Sequence, residues 1–206
     1  MADMPSHKDA LELAWMAVAS EKPQAIATNS GAVLRPGKKV LQLKLIDREC
    51  LIDLDARTIR WSADKPGEIG LHLQIIVLHY LAGSGKAQLA NRLATFRDFE
   101  GGAIYYPAFK ARSIDMIVKE FGSKPEILKH IGDVIRAEPG GIGTIGLKVD
   151  FLPKLPIVIV LWIGDEEVPA SANILFDANA GKILPTEDLS VASGVLVRRL
   201  VDISRK

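Results

Sequence analysis

Cysteine occurs once in the 206 residues, at Cys50. That forbids an internal disulfide and leaves the chain three thiolates short of the four that an iron–sulfur cluster typically takes. Cys50 lies in an apolar, strand-like stretch, so its expected role is a buried structural thiol. A surplus of either charge is also missing: 26 Lys and Arg stand against 25 Asp and Glu, so no overall field attracts a polyanion, and nucleic acid is disfavoured as a partner. Long apolar runs are absent as well. The longest, Ile157 to Ile163, stops at Gly164 and Asp165, far short of the ~20 residues that a bilayer core demands. The stretch Leu11 to Ser20 ends in a small-residue run that imitates a signal-peptidase site. Asp3 and Asp9 precede it and Glu12 interrupts it, so an amphipathic helix with Ser6 as N-cap is the simpler reading. A soluble, cytoplasmic protein with no membrane partner is expected.

What is present is apolar content, 48%, enough at this length to bury roughly 70% of the unfolded surface in one core. The expectation is a single α+β domain over residues 1–206. Leu41, Leu43 and Leu45 alternate with Gln42 and Lys44 in Val40 to Ile46, which is strand periodicity. Turns at Asp47-Arg48 and Asp55-Ala56 lead into Glu49 to Leu54 and Arg57 to Trp61, an antiparallel meander. Glu68 to Ala82 is of helix length and apolar nearly all round, the pattern of a central, covered helix. Strand-like pieces follow at Ala94 to Phe96 and Ala103 to Tyr106, with Tyr106-Pro107 a candidate cis bond. Helices are expected over Phe109 to Phe121 and Pro125 to Ala137. Strands are expected at Ile145 to Phe151, Ile157 to Trp162 and Ala172 to Phe176, and a helix from Thr186 to about Val201. Two sets of strands around a helical middle argue for antiparallel or mixed sheets packed around a central apolar helix.

Most motifs that suggest chemistry fail on spacing. Gly83-Ser84-Gly85-Lys86 lacks the glycine a phosphate loop needs at Tyr80 and the hydroxyl it needs at Ala87, and it follows a helix, so it reads as a helix end. Gly140, Gly141, Gly143 and Gly146 precede a strand where a dinucleotide fingerprint would open a helix. Asp165-Glu166-Glu167 lacks the glycine of a calcium loop and fits a solvated hairpin turn. Residues 154–190 carry six carboxylates against Lys154 and Lys182, a net −4, and residues 191–206 carry +3; the two stretches are expected to pair.

Two clusters remain. His72 and His79, seven residues apart on one helix, point within about 20° of each other and share a face with Glu68. They lie roughly 10.5 Å apart along the axis, too far to share one metal. A satisfied histidine pair is the plain reading, and a proton-transfer seam lining a pocket is the functional one. Arg97, Tyr105, Tyr106 and Phe109 surround Gly101-Gly102, an arrangement that packs a core or stacks a planar ligand.

Phe96-Arg97-Asp98-Phe99-Glu100-Gly101-Gly102 through Tyr105-Tyr106-Pro107-Ala108-Phe109 to Phe121-Gly122 forms one recognisable block. Leu161 to Ala170, Ile174-Leu175-Phe176-Asp177 and Leu184 to Leu189 form another. Together they resemble the prokaryotic family called domain of unknown function 3786, over most of the chain. The resemblance implies an anaerobic setting beside redox or corrinoid proteins of one-carbon metabolism, some relatives carrying a four-cysteine iron–sulfur module. This chain lacks that module, so a cluster would belong to a partner. No catalytic residue is carried over, and no cofactor or metal is expected of the chain itself. The leading expectation is an accessory binding domain whose partner is an iron–sulfur or corrinoid protein. The alternative is a small-molecule enzyme with a pocket lined by Glu68, His72, His79, Arg97 and Tyr105. Asp165, Glu166 and Asp177 are further candidate ligand-binding residues, and the apolar surplus admits a homodimer.

Overall fold

The computed structural model describes residues 7–62 and 69–206. They fall into two compact units, the first comprising Met1–Gln88, Leu152–Lys154 and Lys182–Leu184, the second Leu89–Phe151, Leu155–Gly181 and Pro185–Lys206. The class is α+β, with both sheets antiparallel in every pairing whose register is known.

The first unit opens with α1 (His7–Ala19) and α2 (Pro23–Ser30), followed by β1 (Val33–Leu34), β2 (Val40–Leu45), β3 (Arg48–Asp53), β4 (Thr58–Trp61) and α3 (Leu71–Gly83). The strands form a meander in the order β1-β2-β3-β4. The alternation in β2 becomes a buried face of Leu41, Leu43 and Leu45, and the register sets Leu43 opposite Cys50 and Leu41 opposite Ile52. The first turn falls on Ile46-Asp47, one residue earlier than expected, with Ile46 at φ 58°. In the second, the Asp53 carboxylate accepts the Asp55 and Ala56 amides, the local bonding that suits Asp to turns. Helix α3 is apolar on every side because it is covered: Ile75, Ile76, Val77, Leu78, Tyr80 and Leu81 are buried, and α1 and α2 pack along it. The Tyr80 hydroxyl is buried yet satisfied, donating to the Ser30 carbonyl at 2.7 Å and accepting the Lys154 amide at 2.9 Å, which locks the end of α2 and the 152–154 turn to α3. Gly83-Ser84 does end the helix, the Ser84 amide donating to the Tyr80 carbonyl.

The second unit contains β5 (Leu93–Thr95), a 3-10 turn (Phe96–Asp98), α4 (Gly102–Phe109), a π-helical segment (Lys110–Ile114), α5 (Asp115–Phe121), α6 (Pro125–Ile135), β6 (Glu138–Pro139), β7 (Ile145–Leu152), β8 (Leu155–Trp162), β9 (Ser171–Asp177) and α8 (Thr186–Ser204), with the short α7 (Ala180–Ile183) between β9 and α8. Its strands run in the order β5-β9-β8-β7-β6. Central β8 is buried from Leu155 to Leu161, which accounts for its unbroken apolar run. A cluster of phenylalanines fills the core: Phe96 and Phe109 stack at 4.0 Å, and Phe176 meets Phe96, Phe99 and Phe109 within 6.2 Å.

Two expectations are corrected. Ala103 to Tyr106 is helical, as part of α4, and the Tyr106-Pro107 bond is trans, since no cis bond occurs among the described residues. Gly101, at φ 70°, starts the helix, and a Cβ on Gly102 would lie 2.2 Å from the Phe96 carbonyl oxygen, so the diglycine is a steric requirement of this start. Pro107 sits inside the helix, where it cannot donate to the carbonyl one turn back, and the coil widens into the π segment three residues later. At the other end of the unit, Thr186 is the first helical residue of α8, with Pro185 at the cap. No helix among the described residues is long and apolar enough to cross a membrane.

Candidate functional site

In the first unit, His72 occupies the first turn of α3 and is exposed, while His79, two turns on, is half-buried. The partner of His72 is His7, the first residue of α1: the two Nε2 atoms lie 3.0 Å apart, with ring centroids 4.7 Å apart and planes at 76°. Glu68, expected on the same stripe, lies outside the described residues. His7 is 65 positions from His72, and only the packing of α1 on α3 brings the two together.

Cys50 is buried, its thiol 3.5 Å from the Leu43 carbonyl. Burial pushes its pKa up from 9.0 to about 12, so it stays a protonated, unreactive thiol at neutral pH.

In the second unit, Arg97 is exposed and its guanidinium lies 3.8 Å from the Tyr106 ring centroid. The cation is thus paired with Tyr106, whereas Tyr105, the residue expected to share a ligand with it, is the more exposed neighbour. Phe109 belongs to the core. Next to Arg97, the Asp98 carboxylate accepts both the amide and the hydroxyl of Thr95, which holds its pKa below the ordinary value.

Asp177 is almost completely buried at the end of β9 and accepts three backbone amides, from Ala90 at 2.9 Å, Asn91 at 2.8 Å and Asn179 at 2.9 Å. Its oxygens tie the approach to β5 and the entry to α7 onto β9. Asp165 and Glu166 occupy the β8–β9 connection. The Asp165 carboxylate accepts the Glu167 and Val168 amides, which lowers its pKa, and the Asp165 amide donates to the Val168 carbonyl. The acidic run is therefore a hairpin turn, as its spacing predicts, with Glu166 and Glu167 exposed. Arg205 in the basic C-terminal stretch pairs at 3.5 Å with Glu120 of α5, outside the acidic stretch expected to meet it.

The same connection bears a feature that composition does not reveal. Trp162 is 40% exposed, Ile163 47% and Val168 59%, and the Ile163 amide donates to the Thr144 hydroxyl on the turn that bears half-exposed Ile142. Apolar side chains on the surface are ordinary when scattered singly, and these stand out only because they share one connection and the turn beside it. No group of three or more His, Cys, Asp or Glu placed to hold a metal ion occurs among the described residues.

No curated protein and no solved structure matches the chain. The model of one protein family, Domain of unknown function (DUF3786), matches residues 22–199, and the chain belongs to that family.

Proposed function

We propose that this protein is a non-catalytic binding domain that works beside an iron–sulfur or corrinoid protein in an anaerobic redox pathway. The setting comes from the family resemblance, and the observation that carries a binding role is the exposed group Trp162, Ile163 and Val168 around the β8–β9 turn. Strand β8 is buried from Leu155 to Leu161, yet its apolar run continues two residues into solvent. One connection thus carries an exposed tryptophan and two exposed aliphatic residues together with exposed Glu166 and Glu167, residue types that the core and edge of a protein interface use.

The test is association with a partner of stated chemistry. Immobilised protein incubated with anaerobic extract of its native host should retain a protein identified by bound iron and sulfide or by a corrinoid spectrum. Trp162→Glu should weaken that retention by about tenfold or more, the scale of one large apolar side chain withdrawn from an interface. Recovery of no iron–sulfur or corrinoid protein by the wild type would end this reading.

A further inference from the structure

We propose that His7 and His72 form an open, two-histidine site for a divalent transition metal of the zinc class. This inference stands apart from the binding role above, since it draws only on the first unit. Two imidazole nitrogens bound to one ion at about 2.1 Å are separated by about 3.0 Å at a right angle and about 3.4 Å at the tetrahedral angle. The observed Nε2 to Nε2 separation is 3.0 Å. The ring centroids, at 4.7 Å, are closer than they would be if the rings met head-on at that distance, because each ring would then add its full radius to the span. The rings therefore meet at an angle, as two ligands of a common ion do.

Both donors are held by secondary structure. His7 opens α1, His72 lies in the first turn of α3, and the two helices pack on each other, so the backbone brings both side chains within reach of one ion. In the metal-free pair one ring donates its Nε2–H to the Nε2 of the other; when an ion binds both Nε2 atoms, the donor's proton moves through water to its own Nδ1, so each neutral ring is then protonated at the nitrogen remote from the ion. No third His, Cys, Asp or Glu joins them among the described residues, so water completes the shell. Two imidazole nitrogens suit a borderline ion that bonds directionally to them and suit poorly a hard cation that takes oxygen ligands, which selects zinc, nickel or copper over magnesium.

Titration of the intact chain with zinc chloride by isothermal calorimetry tests this, with magnesium chloride as the comparison. The wild type should bind one zinc per chain and no magnesium. His7→Gln and His72→Gln should each weaken zinc binding at least about tenfold, since even outer-shell partners of a metal act on that scale. His130→Gln, on an exposed face of α6, should bind as the wild type does. Absence of saturable zinc binding, or equal binding by the His7 and His72 variants, overturns the proposal.

Discussion

Cys50 illustrates how a single side chain's behaviour follows from its register. Opposite Leu43 and Trp61 in the first sheet, its thiol faces hydrocarbon, and the loss of hydration raises its pKa to about 12. Because the folded-state value lies above the unfolded one, the thiol's contribution is fully present below pH 9 and is lost as pH climbs toward 12. The expected decline is about 1.4 kcal/mol per pH unit. Urea titrations of wild type and Cys50→Ala between pH 8 and 11 should therefore converge as pH rises; parallel curves would place the thiol in water. The cysteine was legible in the sequence because strand alternation fixes which neighbours turn inward. Histidine 72 was not, since a helical wheel shows only His79 and Glu68 beside it, and a contact 65 positions distant leaves no periodic trace. Arg97 was half legible: its aromatic company was visible, but whether it faced Tyr105 or Tyr106 depended on the segment being helix.

Among the elements, the second sheet depends on a buried carboxylate. Asp177 receives three backbone amides, so its removal leaves three donors without their acceptor on both sides of β9. Asp177→Ala should cost about 2 to 4 kcal/mol in urea unfolding, with Asp177→Asn losing less because one carbonyl oxygen remains. An unchanged midpoint would show that water replaces the carboxylate freely. The same element scale explains the one misread segment. Ala103 to Tyr106 has the composition of a strand, and Pro107 normally ends a helix; here the flanking phenylalanines bury Phe109 against Phe96 and Phe176. Tertiary packing of this kind outweighs propensity, and the coil absorbs the proline by widening into Lys110–Ile114.

At the scale of the molecule, the two compact units are not successive lengths of chain, for the first takes back residues 152–154 and 182–184 from within the second. Unfolding the first unit alone would have to pull at the turn between β7 and β8, a hairpin of the other. The expectation is accordingly one cooperative transition over the whole chain. Far-ultraviolet dichroism and the fluorescence of Trp15, Trp61 and Trp162 should trace coincident melting curves, whereas two separated midpoints would mean that the units fold independently. What the sequence determined by itself was local and periodic: the meander of β2, β3 and β4, the covered helix α3, the buried run of β8 and the acid-tipped turn after it, since alternation and helical repeat encode which side of an element is dry. Only the tertiary structure decided that His7 meets His72, that Arg97 stacks on Tyr106, that Asp177 spends its oxygens on backbone amides, and that Trp162 faces water. Each of those depends on distances between residues far apart in the chain, and such distances are set by packing, which no short window of sequence contains.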